Sequence, residues 1–599
     1  MRTFILRLMA VLILAPPIAC FAQGELPYRF LLVISDQWKD DSSQLIQQPN
    51  DFQFLAALLK TWGLPFDILR LDQQRFDRYH MLDRQGRPLH GTILWNTGEL
   101  KVKEQDLDVL EELVRQGASL VLVGDAIANP RLAALAGVRY VSRYLSADPL
   151  RFSRDHFVVR GLRGREAELM GNVGYSLGGS KVEAGESTVL GARGAMPFLT
   201  VREVPSGGRV AWLGADRSAS QLQKQFVRDL LKRCLVWAQG YALYAEYDKS
   251  VVLFLDDMGA SDKTILSYWH YRSLSEQEIR AGLIEPLKRH HGVLDINVVT
   301  GYVDRKTRRV LNPWVQRVVD GIDGKTIHDF ASTKRGIEAG VAEKVFEIQS
   351  HGWTHMLPDL DSPPGPWWDA PMDGVGSLDW YNEFADRLRD REIPAATQRE
   401  HLRRSLQHLR EDFGVTPLVV RPGGSAFSRS PANDTARVAA GMGFGLATWG
   451  WAVYLSPDLV LSLESVTTRY SWGYDRKLTA AQVPWSVDAP YWIGFHDRDV
   501  AMDGASVERL LTDLGEGVRY LSGAEYAAYL HTRITGDARS LRVDYDPHYC
   551  RAFAAKDSAW TLHLSDETRR ALGNQVTDKR AVRLPKGVSS HIVRVGQAR

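Results

Sequence analysis

Short apolar runs alternate with amphipathic helical stretches along the first 245 residues of the chain. Five runs have the length and composition of buried strands, at residues 28–35, 65–71, 92–95, 120–123 and 209–213. Apolar positions recur with helical spacing over residues 51–62, 104–116 and 218–238. Alternation of this kind predicts a parallel α/β domain, which we place at residues 23–245.

The same rhythm continues through residues 246–532 with more strands. Seven apolar runs are strand candidates, at residues 251–255, 296–299, 345–348, 418–420, 445–448, 466–469 and 491–495. Helical periodicity is clearest over residues 276–290 and 397–413. Strand–helix alternation at this length predicts a barrel or a distorted barrel rather than a sandwich. Residues 357–394 interrupt the rhythm, and a loop of that length is usually functional or mobile.

Both ends of the chain differ from these two regions. Residues 533–599 carry short runs at 541–545, 560–564, 581–584 and 591–595, which predict a small β-rich appendage. Residues 1–22 begin with Arg2 and Arg7, continue with an apolar stretch and end at Ala22, the layout of a secretory signal peptide. We therefore expect an exported protein, periplasmic or secreted. Cys20 leaves lipid attachment as a less favoured alternative.

Charge and cysteine content exclude several classes of protein. Lys and Arg together number 74 and Asp and Glu 72, well mixed along the chain, so no basic run predicts binding of nucleic acid. After the predicted signal, no segment approaches the ~20 apolar residues of a membrane helix. Cys234 and Cys550 would remain after processing. They exclude a disulfide framework, although an exported protein could form one bridge between them.

Polar groups able to do chemistry follow four of the seven runs in the second region. They are Asp256 and Asp257, then His351 with His355, then Arg421, and finally His496. Each group alone has a commoner structural explanation, such as a turn, a helix cap or a solvated loop. Because parallel strands of a barrel open on one face, however, these four ends should meet at one mouth.

Taken together, these residue types fit the chemistry of a divalent metal site. Two histidines and one carboxylate supply three ligands and leave positions open for water and substrate. The second carboxylate is then free to act as a base, and the distant histidine is free to act as an acid. The same three ligands also suit an iron(II) oxygenase, which remains an alternative.

Residues 250–530 also resemble a known family, the polysaccharide deacetylases of carbohydrate esterase family four, or NodB-homology domain. Four segments are similar to family motifs in the same order and with similar spacing: residues 254–259, 351–355, 421–424 and 495–497. The resemblance implies a distorted (β/α)7 barrel. It also implies hydrolysis of acetyl groups from an extracellular or cell-envelope polysaccharide, with N-acetyl favoured and O-acetyl as the alternative. Partners in an envelope polysaccharide system are a further expectation.

The resemblance implies a role for each motif residue. Asp256 is the general base, and Arg421 orients it and keeps it charged. The metal ligands are Asp257, His351 and His355. His496 protonates the leaving group. The metal implied is zinc, with cobalt or nickel as alternatives.

The chain departs from the family at the substrate side of the site. The third motif continues with Gly423 and Gly424, where typical members place a proline and a tyrosine whose amide holds the oxyanion. The fourth motif has no clean counterpart. The residues expected to contact substrate are Gly423, Gly424, Trp353, Trp367, Trp368 and Trp449. These departures keep open a second alternative, a degenerate member that binds carbohydrate or acts as a scaffold without turnover.

The first domain resembles flavodoxin-like and glutamine-amidotransferase-like domains. Enzymes of the second family need a nucleophilic cysteine on a strand-to-helix turn. No cysteine lies between Cys20 and Cys234. We therefore expect residues 23–245 to be non-catalytic.

Overall fold

A computed structural model describes most of the chain from residue 26 onwards. The described residues are 26–34, 51–71, 73–95, 102–145, 148–167, 178–205, 207–215, 222, 224–260, 271–304, 307–314, 319–320, 326–358, 377–425, 427–430, 432–448, 452–456, 459–463, 466–537, 540–550, 560–572, 579–582 and 590–595. The predicted signal peptide with Cys20, and also Trp367, Trp368 and Trp449, lie outside them.

The N-terminal region supplies the first large sheet and, apart from it, a two-stranded sheet. The strands are β1 Phe30–Ile34, β2 Phe66–Arg70, β3 Thr92–Trp95, β4 Ser119–Val123, β5 Val138–Leu145, β6 Leu150–Phe152, β7 Glu166–Ala167, β8 Gly178–Ala184, β9 Thr188–Arg193, β10 Met196–Glu203 and β11 Arg209–Leu213. The helices are α1 Asp51–Trp62, α2 Arg78–Met81, α3 Glu104–Arg115, α4 Pro130–Ala136 and α5 Gln225–Gln239.

Within the described residues this sheet has nine strands in the order β2-β1-β3-β4-β11-β10-β9-β6-β7. The strands β2, β1, β3, β4 and β11 run parallel and are the five that the sequence predicts. The other four strands are antiparallel. The sequence analysis did not predict them. The strands β6, β7 and β9 are short or mix buried and exposed positions, whereas β10 was missed although five consecutive residues of it are buried. The predicted α/β class of this region is confirmed.

The region that follows supplies, among its described residues, a larger sheet, three separate pairs of strands and one strand, Tyr241–Ala245, that pairs with the C-terminal region. Its strands are β12 Tyr241–Ala245, β13 Ser250–Gly259, β14 Leu294–Val299, β15 Tyr302–Asp304, β16 Arg309–Leu311, β17 Val319–Asp320, β18 Ile327–His328, β19 Phe346–Ser350, β20 Ala385–Asp386, β21 Arg391–Glu392, β22 Val419–Val420, β23 Leu446–Ala447, β24 Ala452–Ser456, β25 Leu459–Ser462, β26 Thr468–Ser471, β27 Tyr491–His496 and β28 Arg519–Tyr520. The helices are α6 Glu276–Ile279, α7 Glu285–Arg289, α8 Phe330–Ala342, α9 Ala395–Phe413, α10 Thr435–Gly441, α11 Asp497–Met502, α12 Ser506–Leu514 and α13 Gly523–His531.

All seven predicted runs of this region fall on strands of one sheet. In the part of the chain that the structure describes, the order is β25-β24-β23-β22-β19-β14-β13-β27-β26, with β28 beside β13. The neighbouring strands β23, β22, β19, β14, β13, β27 and β26 are parallel to one another. The strands β24 and β25 add an antiparallel hairpin beside β23. The carboxyl ends of β13, β19, β22 and β27 therefore lie at one edge, as predicted. An apolar core of strand and helix residues fills the space between the sheet and helices α6 to α8 and α12.

The C-terminal region is joined to the rest of the molecule by strand pairing. Its elements are β29 Arg533–Gly536, β30 Ser540–Asp544, α14 Pro547–Cys550, β31 Trp560–Leu564, α15 Asp566–Leu572, β32 Lys579–Val582 and β33 Ser590–Arg594. Strand β12, at the end of the predicted first domain, pairs antiparallel with β31, and β31 pairs with β32. The strands expected here are present, but two of them complete a sheet that begins near residue 241.

A buried charge cluster also connects the first two regions. Asp488, which precedes β27, accepts a hydrogen bond from Trp62 Nε1 at 2.9 Å and forms ion pairs with Lys232 and Arg228. Burial raises the pKa of Asp488, but the two cations outweigh burial and hold the pKa below its usual range. A buried carboxylate is tolerated here because it is paired and hydrogen-bonded.

Two further expectations concern the cysteines and the membrane. Within the described residues Cys234 is a free, fully buried thiol, and burial raises its pKa to about 12. The bridge to Cys550 that the sequence left open is therefore not formed. Among the helices that the structure describes, none combines the length and apolar character needed to cross a membrane.

The packing of Trp560 against the first region can be tested with one glycine. A Cβ added to Gly63 would lie 2.2 Å from the Trp560 ring, and Gly63 has a φ of +74°. We expect Gly63→Ala to lower the free energy of unfolding by the cost of a left-handed alanine, roughly 1–2 kcal/mol, plus roughly 1–3 kcal/mol of overpacking. Denaturant unfolding of the purified protein would measure the loss.

Gly86→Ala is the matched control for this prediction. Gly86 has a φ of +76°, and a Cβ there meets no atom within 4 Å. Gly86→Ala should therefore lower the free energy of unfolding only by the cost of a left-handed alanine. Equal losses in the two variants would show that the C-terminal region does not pack on Gly63 in solution.

Candidate active site

Two adjacent carboxylates reach the same site because strand β13 carries a bulge. Successive side chains of a regular strand point to opposite faces. The register of β13 against β14 shifts between Leu255 and Met258, so that Asp256 and Asp257 together oppose Asn297 alone. Asp257 has a φ of +66°, the left-handed region that non-glycine residues rarely adopt. A bulge re-aims side chains in this way and is frequent beside active sites.

Asp257, His351 and His355 form a buried group that could hold a metal ion. Their ligand atoms all lie within 4.8 Å of one another. The Nε2 atoms of His351 and His355 are 3.3 and 3.4 Å from Asp257 Oδ1. Burial raises the pKa of Asp257, but the hydrogen bond from His351 and the nearby imidazoles outweigh it, so the carboxylate is ionised.

The two histidines are positioned by the ends of neighbouring strands. His351 follows β19, donates its backbone N–H to Val298 and lies with Nδ1 2.8 Å from the carbonyl oxygen of Arg421. A hydrogen bond at Nδ1 fixes the ring and leaves Nε2 facing Asp257, an arrangement typical of metal-binding histidines. His355 lies four residues further on, with its ring centroid 5.0 Å from that of His351.

Asp256 is held beside this group by two neighbours. Arg421 Nε donates to Asp256 Oδ2 at 2.5 Å, and Asn297 Nδ2 donates to Oδ1 at 2.8 Å. Burial raises the pKa of Asp256, but the charge of Arg421, followed by those of His351 and His496, holds it below its usual range. Asp256 is therefore an oriented, ionised carboxylate, the form that a general base needs.

His496 lies on the other side of the carboxylate pair. It ends strand β27 opposite Asp256, and its Nε2 is 3.8 Å from Asp257 Oδ2. Its Nδ1 is 3.8 Å from Asp499 Oδ2, too long for a hydrogen bond but close enough for an ion pair. Burial lowers the pKa of His496, but the charges of Asp499, Asp257 and Asp256 outweigh burial and raise it to about 9. One third of this side chain is exposed.

A cavity of about 490 Å³ opens beside His496. Its lining includes Tyr271, Trp472, Tyr474, Arg476 and Met502. The cavity combines aromatic rings with polar groups, which suits a ligand that has both apolar faces and hydroxyl or amide groups.

Gly423 and Gly424, where the chain departs from the family motif, lie against other parts of the site. A Cβ on Gly423 would be 2.5 Å from the His355 ring, and one on Gly424 would be 2.0 Å from the carbonyl oxygen of Tyr381. The N–H of Gly424 donates to His355 Nε2 at 3.2 Å. Both residues thus border the site, and neighbouring residues exclude any side chain there.

Trp353, expected to contact substrate, lies in a different environment. It is 8% exposed, with Arg404 over its ring at 4.6 Å and His401 against its edge. Its position is that of a packing residue beneath the loop 351–358. The other three tryptophans expected to contact substrate, Trp367, Trp368 and Trp449, lie outside the described residues.

Three polar residues around the site were missed from the sequence. Asn297 binds Asp256, Asp499 faces His496, and Glu383 binds the loop that carries His355. Asn297 lies in the middle of a predicted strand, and Glu383 lies inside the unassigned stretch 357–394. Neither residue follows the end of a predicted strand, which is where the other site residues were found. Asp499 follows His496 by three residues, and its spacing could have suggested a partner for that imidazole.

Comparisons with known proteins assign no family to this chain. A scan against family models finds no match, and neither does a search of curated proteins. Solved structures similar to parts of the chain include a cytoplasmic protein of Salmonella typhimurium, with a TM-score of 0.26 and 16% identity. That match covers 35% of this chain and 98% of the Salmonella protein. A ThuA-like protein of Bacteroides uniformis has a TM-score of 0.27 and 12% identity, and the match covers 35% of this chain and 91% of that protein. The GH42 β-galactosidase Gan42B of G. stearothermophilus has a TM-score of 0.23 and 14% identity, and the match covers 34% of this chain and 29% of that protein. Scores this low support no inference about function.

The environment of His496 predicts how activity should depend on pH. An imidazole that donates a proton must be charged, so turnover should fall as pH rises through its pKa. Because Asp499 raises that pKa, we expect Asp499→Asn to move the alkaline limb of the pH–rate profile to lower pH by roughly one unit. A bound cation would offset Asp257 in both proteins, so the difference between the two profiles is the measurement.

Asp503→Asn serves as the control, since Asp503 caps the same helix α11 but binds Arg509 rather than His496. Its alkaline limb should coincide with that of wild type. Coincident profiles for all three proteins would contradict the assignment of His496 as the proton donor.

Proposed function

We propose that this protein is a metal-dependent deacetylase that hydrolyses acetyl groups from an extracellular or cell-envelope polysaccharide, with N-acetyl groups as the favoured substrate and O-acetyl groups as the alternative. The observation that carries the proposal is the buried group of Asp257, His351 and His355, with a second carboxylate beside it. A structural metal site would need no ionised, oriented neighbour such as Asp256. The motif resemblance of residues 250–530 gives the substrate class.

The donor set fits a divalent cation. One carboxylate and two imidazoles, all buried, form the three-ligand site typical of catalytic zinc. Zinc is our proposal, with cobalt or nickel as substitutes. Such an ion would polarise the acetyl carbonyl and lower the pKa of a bound water.

The remaining residues divide the proton transfers between them. Asp256, held by Arg421 and Asn297, accepts the proton of the attacking water. His496, on the opposite side, donates a proton to the departing amine as the carbon–nitrogen bond breaks. A backbone N–H near Gly423 and Gly424 stabilises the tetrahedral oxyanion. The products are acetate and a free amino sugar in the polymer, so protons balance.

The proposal extends to the rest of the chain. The seven parallel strands lie side by side, with β23 at one end and β26 at the other. Pairing of these two end strands would close the sheet, and we propose that the seven strands form a distorted (β/α)7 barrel. The order β2-β1-β3-β4-β11 has the pattern of flavodoxin-like sheets. We propose that this region is a non-catalytic flavodoxin-like domain and that the protein is exported with residues 1–22 removed.

Acetate release tests the function directly. The zinc-loaded protein should release acetate from N-acetylated glucosamine oligomers, and less from the O-acetylated polymer. Chelator-treated protein should release none, and restored zinc should recover the activity. Iron content with oxygen-dependent turnover would favour an oxygenase instead. Glycan binding by metal-loaded protein without acetate release would favour a binding or scaffold role.

A further inference from the structure

Glu383 is a fully buried carboxylate that contacts the loop carrying the metal-site histidines. Its Oε1 accepts hydrogen bonds from the backbone N–H groups of Trp353 and Thr354 at 3.0 and 3.2 Å. Its Oε2 accepts from the N–H of His355 at 3.0 Å. His401 Nδ1 lies 2.6 Å from Oε1. Three consecutive N–H groups thus converge on one side chain.

These contacts hold a backbone conformation that is costly by itself. Gly352 has a φ of +94° and His355 a φ of +57°. A non-glycine residue in the left-handed region is disfavoured because its Cβ lies too close to the following carbonyl oxygen. Successive N–H groups that point inward form an anion-binding concavity, and a carboxylate in that concavity stabilises it. The His355 ring faces Asp257 only while this turn persists.

The segment that supplies Glu383 is packed as part of the site. A Cβ on Gly352 would lie 2.0 Å from Glu383 Oε2, so the glycine is required by the carboxylate. Trp380 and Tyr381, next to Glu383, pack with Met356 and Leu357 of the histidine loop. The segment therefore has an apolar contact and a polar contact with the same loop.

We propose that Glu383 is a positioning residue for the metal site, acting through the backbone of residues 353–355 to fix His355. This inference rests on the proposed function only in requiring that Asp257, His351 and His355 bind a divalent cation. None of these hydrogen bonds of Glu383 involves a ring nitrogen of His351 or His355, or a carboxylate oxygen of Asp257. Its effect must therefore appear as a change in how the ion is held.

Glu383→Gln is the test, made in the full mature chain. Glutamine keeps the size of the side chain and one acceptor oxygen, but its amide N–H₂ faces donors and leaves at least one of them unpaired. Loss of a partner that orients a metal ligand typically weakens metal binding 10–100-fold. We expect the zinc dissociation constant, measured by competition with a chelator, to rise by about that factor. The visible absorption of the cobalt-loaded variant should change in position and intensity because the His355 ligand is displaced.

Glu392→Gln is the matched control. Glu392 lies in the same segment and also accepts backbone N–H groups, from Arg429 at 2.8 Å and Ser430 at 2.5 Å, and both of these donors lie outside the histidine loop. This variant should lose stability without a change in metal affinity or cobalt spectrum. Glu383→Asp, which keeps the carboxylate, should bind metal more tightly than Glu383→Gln, and it also serves if the glutamine variant does not fold.

The outcomes separate this inference from the proposed function. If wild-type protein binds neither zinc nor cobalt, the proposed function fails, and this inference fails with it. If wild type binds metal and both Glu383 variants bind it with wild-type affinity and spectrum, Glu383 has only a structural role and the inference is wrong.

Discussion

Asp256→Asn should keep near-normal metal content while its turnover falls by about 10²–10⁴, the usual contribution of a positioned acid or base. The carboxylate of Asp256 is bound to Arg421 and Asn297. It does not belong to the buried Asp257 group that could hold the ion. An asparagine of the same size can keep one of those hydrogen bonds but cannot accept a proton from water. Metal analysis, substrate binding and acetate release on the same preparation would measure the three quantities.

Asp295→Asn is a close control for that experiment. Asp295 is fully buried on the adjacent strand β14, and burial, followed by the charge of Glu347, raises its pKa well above the usual range. Its Oδ2 accepts a hydrogen bond from the backbone N–H of Gly523 at 2.8 Å, and the amide oxygen of an asparagine of the same size can accept the same bond. Turnover should stay near that of wild type. If Asp256→Asn loses its metal while Asp257→Asn retains it, the two roles are reversed.

Removal of any one metal ligand should empty the site. A four-ligand zinc site has an apparent binding free energy of about 10–16 kcal/mol, so an equal share per ligand is roughly 3 kcal/mol, or more than 100-fold in the dissociation constant. We expect Asp257→Asn, His351→Ala and His355→Ala each to fail to retain stoichiometric zinc through gel filtration. Acetate release should fall to the level of the chelated protein.

His290→Asn controls for the loss of a histidine elsewhere in the same region. His290 pairs with Glu508 at 3.0 Å, between helices α7 and α12 and away from the metal group. It should retain wild-type zinc content. Full zinc content in all three ligand variants would mean that the ion binds at a different place.

The parallel strands that carry the candidate site were predictable, because parallel strands buried on both faces appear in the sequence as apolar runs. All seven runs of the second region are strands of one sheet, and Asp256, His351, Arg421 and His496 meet at its edge. The local geometry was not predictable. No residue type next to Asp257 in the sequence indicates the bulge, because the bulge is a shift in the register of β13 against the neighbouring strand β14.

The partners of the site were harder to predict than its reacting groups. Glu383 acts through backbone N–H groups, which have no sequence signature, and it is 28 residues from His355. The departure at Gly423 and Gly424 also has a physical reason that only the fold reveals. The His355 ring occupies the space that a side chain at Gly423 would need, and the carbonyl oxygen of Tyr381 does so at Gly424. Sequence motifs show the groups that touch substrate, whereas supporting contacts depend on how distant segments pack.

The pairing of β12 with β31 has a consequence for biosynthesis. Strand β12 is apolar and fully buried, and its partner lies more than 300 residues later in the chain. While a ribosome is still making the second half, β12 has an unpaired edge, and such edges template association with other chains. Long-range pairing is also slow to form. We therefore expect nascent chains, and chains truncated before β31, to depend on chaperones. Resistance to proteolysis should appear only after β31 has been synthesised and has paired with β12.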